Sequence, residues 1–266
     1  MPTRKPPATK PPRALVIVLA VLAVLYASKN LLAKAALVAG MQAVTGLKVD
    51  VDVMDVGLLN TALGIKGLRV RNPAGFTEPI LLDIPEVYVD YKVLPFLKGK
   101  THLERVRVNM KEMVVVKLAD GTVNVKQIKA LETAKGKKAA PKAQPKPAAK
   151  APPMNLEIDL LEMKIGTVIY KDYSKGSPPR IKEFTVNIDQ RYEHIRDPAT
   201  FVGVVVAAAL LNTTVGQLAG VDVAKIHAEA QRAMLQSARE LNRAFSAEGG
   251  KAFEKSANEL KRLFNR

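Results

Sequence analysis

Residues Ala14–Ala27 read ALVIVLAVLAVLYA, an apolar run with no charged residue, directly after the Pro-rich basic tail Met1–Arg13. A helix apolar on every face has no side to turn to water, so a core or a bilayer must bury it. The tail decides between them: Arg4, Lys5, Lys10 and Arg13 suit a membrane boundary better than the rim of a soluble core. Alone, the run is short for a span and would suit the core of a signal peptide. Helical character continues, however, through Ser28–Asn30 into Leu31–Val38. At about 1.5 Å per residue, a helix from Ala14 to Leu32 reaches roughly 28 Å, close to a hydrocarbon core. Lys29 near its far end can snorkel to the interface. The only tidy small-residue cleavage pattern, Ala33-Lys34-Ala35, comes late, so the expectation is an uncleaved anchor over 14–38 rather than a cleaved leader.

The formal charge of +16 first points to nucleic acid. Much of that excess lies in the tail and in a Lys/Pro/Ala tract, neither of which can pack as a folded basic stripe, so no nucleic-acid partner is expected. Beside a membrane helix, a basic tail is explained by topology and anionic headgroups. The chain has no Cys, hence no disulfide framework or thiolate, and no Trp, which weakens any base-stacking platform.

Downstream the period becomes two. Leu47–Asp55 (LKVDVDVMD), Leu63–Val70 and Ile84–Tyr91 (IPEVYVDY) read as strands, with a turn cluster at Asn72-Pro73-Ala74-Gly75. Val93–Gly99 forms a break. Leu103–Val108 and Met113–Leu118 read as two strands around a kink at Asn109–Glu112, and Ala119-Asp120-Gly121-Thr122 as a hairpin turn before Val123–Val125. Ala134–Pro153 (AKGKKAAPKAQPKPAAKAPP) has no branched apolar residue and reads as a disordered linker over 133–153. Leu156–Leu161, Met163–Tyr173 and Ile181–Ile188 are again strands. Leu103–Gly121 and Leu156–Gly176 echo each other as strand, kink, strand and turn, which predicts stacked copies of one hairpin.

From Pro198 the pattern is helical. Ala199–Gly220 carries no charge, yet Asn212, Thr213, Thr214 and Gln217 make it a poor central span, and a second membrane contact stays open here. Met234, Ala238, Leu241 and Phe245 form a stripe at helical spacing before Gly249-Gly250, with a shorter helix after it. The stripe fits a cap on the end of the sheet better than a membrane-surface helix, because it carries small residues.

Reactive constellations are missing. His102, His194 and His227 fall in separate segments with no metal-ligand spacing, and solvated or strand-end positions suit them. Asp50 and Asp52 share one face of a strand opposite Val49, Val51 and Val53, as a half-exposed strand requires, and Asp55 adds no acid–base pair. No G-x-S-x-G, P-loop or G-x-G-x-x-G stands in the chain. No catalytic, cofactor or metal residue is assigned, no binding residue is named, and no enzyme is expected.

The order of features resembles the AsmA-like family of bacterial envelope proteins, as a short, divergent member. The residues that carry the likeness are the N-terminal apolar helix, GIKGLRVRNPAGF (Gly64–Phe76), LLDIPEVYVDY (Leu81–Tyr91) and Leu94–Val125. The last ends in Asp120-Gly121-Thr122-Val123-Asn124, similar to the family's Asp-Gly-x-x-Asn. Lys164–Asp172 looks like a strand pair from the family's later repeats.

The resulting expectation is an α+β chain with an N-terminal transmembrane helix, an elongated antiparallel β-rich domain built as a curved sheet of hairpin repeats, and a helical C-terminal region. Its parts are a cytoplasmic tail over 1–13, the membrane helix over 14–38, an AsmA-like β domain over 47–132, the linker, further hairpins over 154–192 and helices over 199–266. The resemblance implies a single-pass inner-membrane protein with its bulk in the periplasm. It would assist lipid handling, lipid transport or outer-membrane biogenesis through an apolar β groove. The alternative is an envelope scaffold recruiting a protein partner through its C-terminal helices. Membrane lipids are the expected partner.

Overall fold

The computed structural model describes residues 13–58, 60–134 and 156–264. Helix α1 (Arg13–Thr45) leads into strands β1 (Val49–Gly57), β2 (Ala62–Arg71) and β3 (Ile80–Tyr91). A short helix α2 (Val93–Leu97) precedes β4 (Thr101–Lys117). A 3-10 turn (Asn124–Gln127) and α3 (Lys129–Ala134) follow it, then β5 (Leu156–Asp172) and β6 (Arg180–Ile195). Helices α4 (Pro198–Leu211), α5 (Val215–Ala219) and α6 (Val223–Phe264) complete the chain. The expectations for the basic tail (residues 1–12) and for linker residues 135–153 fall outside the described residues.

The strands lie side by side in chain order in one six-stranded sheet. The segments on either side of the linker therefore share a single sheet. Four of the pairings are antiparallel, but β4 and β5 run parallel from Thr101↔Leu156 to Lys117↔Asp172. This corrects the expectation of a purely antiparallel sheet of hairpin repeats. Each echo copy is one strand of 17 residues, and the two copies lie alongside each other. The chain leaves β4 at one end of the sheet and enters β5 at the other, and such a crossover can only deliver a parallel neighbour. Val123 likewise makes only a single bridge, to Lys117, before the 3-10 turn, and forms no strand with Val125.

The kink read at Asn109–Glu112 is a crease crossing the whole sheet. Inward residues that alternate by two step by three at one level: Val51/Met54, Ile65/Leu68, Ile84/Val87, Met110/Met113 and Ile165/Val168. The ladder skips a rung there, with Asp52 opposite Gly67, Gly67 opposite Pro85 and Lys111 opposite Gly166. Four of the strands have a local cause. Gly67 is left-handed at φ +62°, Pro85 has no N–H to donate, and Asn187 opposite Gly166 on β6 has φ +42°. At Gly166 the β4 backbone comes so close that an added Cβ would lie 2.8 Å from the Lys111 carbonyl oxygen. The phase switch returns the apolar side chains to one face, and it corrects the placement of Val53. That residue is 55% exposed, and Met54 takes the inward position in its stead.

One face of the sheet holds the core. Leu81, Met113, Val115, Leu161, Met163 and Ile195 are sealed there under helices α3 to α6 and the second half of α1. Helix α4 starts where Asp197 accepts from the Thr200 N–H at 2.7 Å, with Pro198 in the first turn. Its residues from Val204 to Leu210 are buried. The uncharged segment is thus a core helix, and core burial, not a bilayer, covers it. Tyr170 on β5 donates to the Leu218 carbonyl at 3.1 Å, pinning α5 to the sheet, and burial pushes its phenol up to about 12.

Helix α6 corrects two further expectations. It runs unbroken through Gly249-Gly250, since a glycine costs a helix interior only about 1 kcal/mol and need not end it. Its buried contacts are Val223, Ile226 and Ala230, earlier than the stripe read from sequence, and among the described side chains of that stripe Met234 alone packs against the core. The close approach at Gly203 admits Ile226 and Ala230 onto α4. Helix α6 therefore covers α4 and β6, not the end of the sheet.

Candidate membrane-anchoring site

Helix α1 has two halves with opposite surroundings. Its outer half carries Ile17, Val18, Leu19, Val21, Leu22 and Val24 exposed on all sides. Its inner half packs Ala33, Leu37, Val38, Met41 and Val44 against the core. No single described helix is long and apolar enough to cross a membrane. The pieces Ile17–Val24 and Tyr26–Thr45 meet that length and composition together, across a bend of 40°. Ser28 Oγ donates back to the Val24 carbonyl at 2.8 Å across that bend.

The junction between the halves is built on the outer edge of β1. An edge strand leaves alternate N–H and C=O groups unpaired, an invitation to another strand. Here side chains of α1 fill them. Asn30 Oδ1 accepts from the Val56 N–H at 2.9 Å and Lys29 Nζ donates to the Val56 carbonyl at 2.7 Å. One turn on, Lys34 Nζ reaches the Asp52 carbonyl at 3.3 Å. Lys29 also lies 5.3 Å from the centre of the Tyr26 ring and 3.9 Å from Asp55. So Lys29, expected to snorkel, is held at the sheet's edge, where it fixes the register of α1 on β1. Sequence reasoning did not find this clamp, because its partners are backbone atoms.

The titratable residues singled out from sequence take structural positions. Asp50 pairs with Arg71 and Asp52 with Arg69 on the open face of the sheet, and hydrogen bonding to Asp52 raises the Arg69 pKa. His194 ends β6 at φ +59° beside Glu193, and His227 lies half-buried on α6. His102 sits at the start of β4 with Nε2 2.9 Å from Asp159. The parallel register brings Glu157 and Asp159 of β5 to it, and the three ligand atoms fall within 4.8 Å of one another. Arg196, however, donates to Glu157 at 3.1 Å, so the cluster already carries its own cation.

At the opposite end of the sheet the two asparagines of the resemblance motifs meet. Asn124 is fully buried; its Oδ1 accepts from the N–H groups of Val116 and Val125, and its Nδ2 donates to the Val114 carbonyl and to Asn72. Asn72 in turn donates to the Glu78 carbonyl at 2.8 Å. The Glu78 carboxylate accepts from Lys171 at 2.7 Å and from the Tyr173 hydroxyl at 3.1 Å. The Lys171 bond, above the opposing effect of burial, holds Glu78 below its ordinary value. This network ties the β2–β3 loop and the turn after β4 to the end of β5.

Neither a curated protein nor a solved structure matches the chain. The sequence model of the AsmA family matches residues 15–244, from the exposed half of α1 to the middle of α6. That span takes in every strand and well over half of the chain, so the protein belongs to the AsmA family, which is linked to assembly of the bacterial envelope and outer membrane.

Proposed function

We propose that this chain is a single-pass inner-membrane protein that assists outer-membrane biogenesis and lipid handling by binding, not by catalysis. Its N-terminus lies in the cytoplasm and its sheet in the periplasm. The supporting observation is the division of α1: one half is apolar and uncovered all round, and the other is clamped to the edge of β1. An uncovered half of that kind needs a nonpolar solvent, and the clamp transmits its position to the sheet. Topology is read with single cysteines in this cysteine-free chain and a membrane-impermeant maleimide on intact spheroplasts. Lys175→Cys should label and Thr3→Cys should stay unlabelled until the membrane is broken; the reverse pattern refutes the orientation.

The apolar face of the sheet is the surface suited to acyl chains, and α4 and α5 fill it. Lipid handling through that face therefore requires their displacement. The filled face also favours a second reading, a scaffold that recruits an envelope protein along α6, where Leu235 is exposed past the buried contacts. Native mass spectrometry with lipid extraction separates the two, comparing the full chain with one lacking residues 1–26, a cut that spares the clamp. Near-stoichiometric phospholipid on the shortened chain supports lipid handling by the folded domain. Loss of all lipid with the anchor leaves the scaffold.

A further inference from the structure

The clamp fixes which end of the sheet faces the bilayer. Helix α1 and β1 run in opposite directions: Lys34 meets Asp52, and Lys29 meets Val56. Moving from Lys29 toward the apolar half of α1 is therefore moving past Val56 toward the β1–β2 tip. Two strand residues advance about 6.6 Å, and three helical residues about 4.5 Å. The tip residue Leu58 thus stands near the level of Tyr26, inside the apolar stretch rather than below it.

The neighbouring connection is held at the same level. Tyr91, the last residue of β3, donates its hydroxyl to the Gly57 carbonyl at 3.1 Å, and its backbone N–H bonds to Thr61 at 3.0 Å. Helix α2 follows at once. Among the described residues of these two connections, three large apolar side chains are uncovered: Leu58 at 50%, Val93 at 38% and Leu94 at 73%. Beside them Lys98 and Lys100 are exposed on the turn into β4. Uncovered apolar side chains rimmed by lysine, beside an uncovered apolar helix, match the boundary between acyl chains and anionic headgroups.

We propose that this end of the sheet rests on the bilayer that holds α1, with Leu58, Val93 and Leu94 entering the acyl–headgroup boundary and Lys98 and Lys100 on anionic phospholipid. The inference rests on the anchoring proposed above and adds a second, lipid-binding surface that sets the stance of the sheet. Its occupant is the surface of that bilayer, argued from continuity with α1 and from charge.

The test is fluorescence quenching on the full chain in vesicles of phosphatidylethanolamine and phosphatidylglycerol. Single cysteines at Leu22, Leu58, Leu94 and Lys175 carry an environment-sensitive dye, and doxyl-labelled lipids act as quenchers. Expected is strong quenching at position 22 by a deep doxyl group, and quenching at 58 and 94 by a shallow one, at least three-fold above that at 175. Replacing Lys98 and Lys100 with Glu, or the anionic lipid with phosphatidylcholine, should at least halve the signal at 94. Position 22 quenched while 58 and 94 match 175 overturns this surface and leaves the anchor standing. No quenching at 22 overturns the anchor and the surface together. Signal at 94 indifferent to lysine and lipid charge overturns the headgroup contact.

Discussion

Asn124 donates from Nδ2 to Oδ1 of Asn72 at 2.8 Å, joining two turns that lie 52 residues apart in the chain. Each side chain also stands in for a backbone partner: Asn124 for the strand that β4 lacks at its end, Asn72 for a rung between β2 and β3. Replacing Asn124 with Ala leaves two buried N–H groups and a carbonyl without partners, and should lower stability by about 2–4 kcal/mol. Asn72→Ala should cost about 1–2 kcal/mol, because its loop is nearer to water. A double-mutant cycle by urea denaturation should return a coupling of about 1 kcal/mol. Strictly additive losses would mean that the two turns are held separately.

The crease predicts a specific intolerance. Gly166→Ala adds a methyl group 2.8 Å from the Lys111 carbonyl oxygen, where strand backbone, not a flexible side chain, must yield. A loss of about 1–3 kcal/mol is expected, whereas Gly64→Ala, in β2 with nothing within 4 Å of its Cβ and no positive φ, should cost nothing comparable. Equal denaturation midpoints for the two variants would show that the strands do not approach each other closely at this level.

The Glu78 network predicts a dependence on acid. The hydrogen bond from Lys171 lowers the Glu78 pKa from 4.5, so the folded chain holds this carboxylate charged where the unfolded chain does not. Its contribution to stability is complete above 4.5 and is lost as pH falls through the depressed value. Glu78→Gln should therefore be less stable than the parent at pH 7 and approach it in strong acid. A constant difference across the titration, read from unfolding midpoints, would remove Glu78 as the titrating group.

The clamp on β1 predicts both stability and solubility effects. Asn30→Ala frees the Val56 N–H on a strand edge, at a cost of about 1 kcal/mol, and opens the edge to pairing with another chain. Expected is a rise in oligomers by light scattering in detergent, greater than for Leu31→Ala, whose side chain faces outward. Identical scattering from both variants would show that α1 does not guard this edge.

Much of this fold was legible because alternation along a half-buried strand is a strong signal, and runs within all six strands were located from it, β4 and β5 each as two pieces. What misled was the step of three at the crease. A skipped alternation at Lys111-Glu112 reads as a strand end when one strand is seen alone, and as a crease only when its neighbours skip at the same level. The parallel pairing of β4 with β5 was hidden for another reason. It depends on where the crossover returns the chain, and the Lys/Pro/Ala tract carries no pattern that says so. Ala199–Gly220 shows the limit of composition: a segment without charge suits a core under a sheet as well as it suits lipid, and only the packing of α4 decides. The apolar half of α1 was plain from its run of residues, while the clamp of Lys29, Asn30 and Lys34 was not, because backbone partners leave no mark in the sequence.

Alkaline carbonate extraction of bacterial membranes containing the full chain asks whether a bilayer solvates the exposed half of α1. The parent chain should remain in the membrane pellet, and a chain with Leu19→Lys and Leu22→Lys should pass into the supernatant with its sheet still folded. Release of the parent chain by carbonate would contradict the account, and with it the membrane anchor on which the proposed function stands.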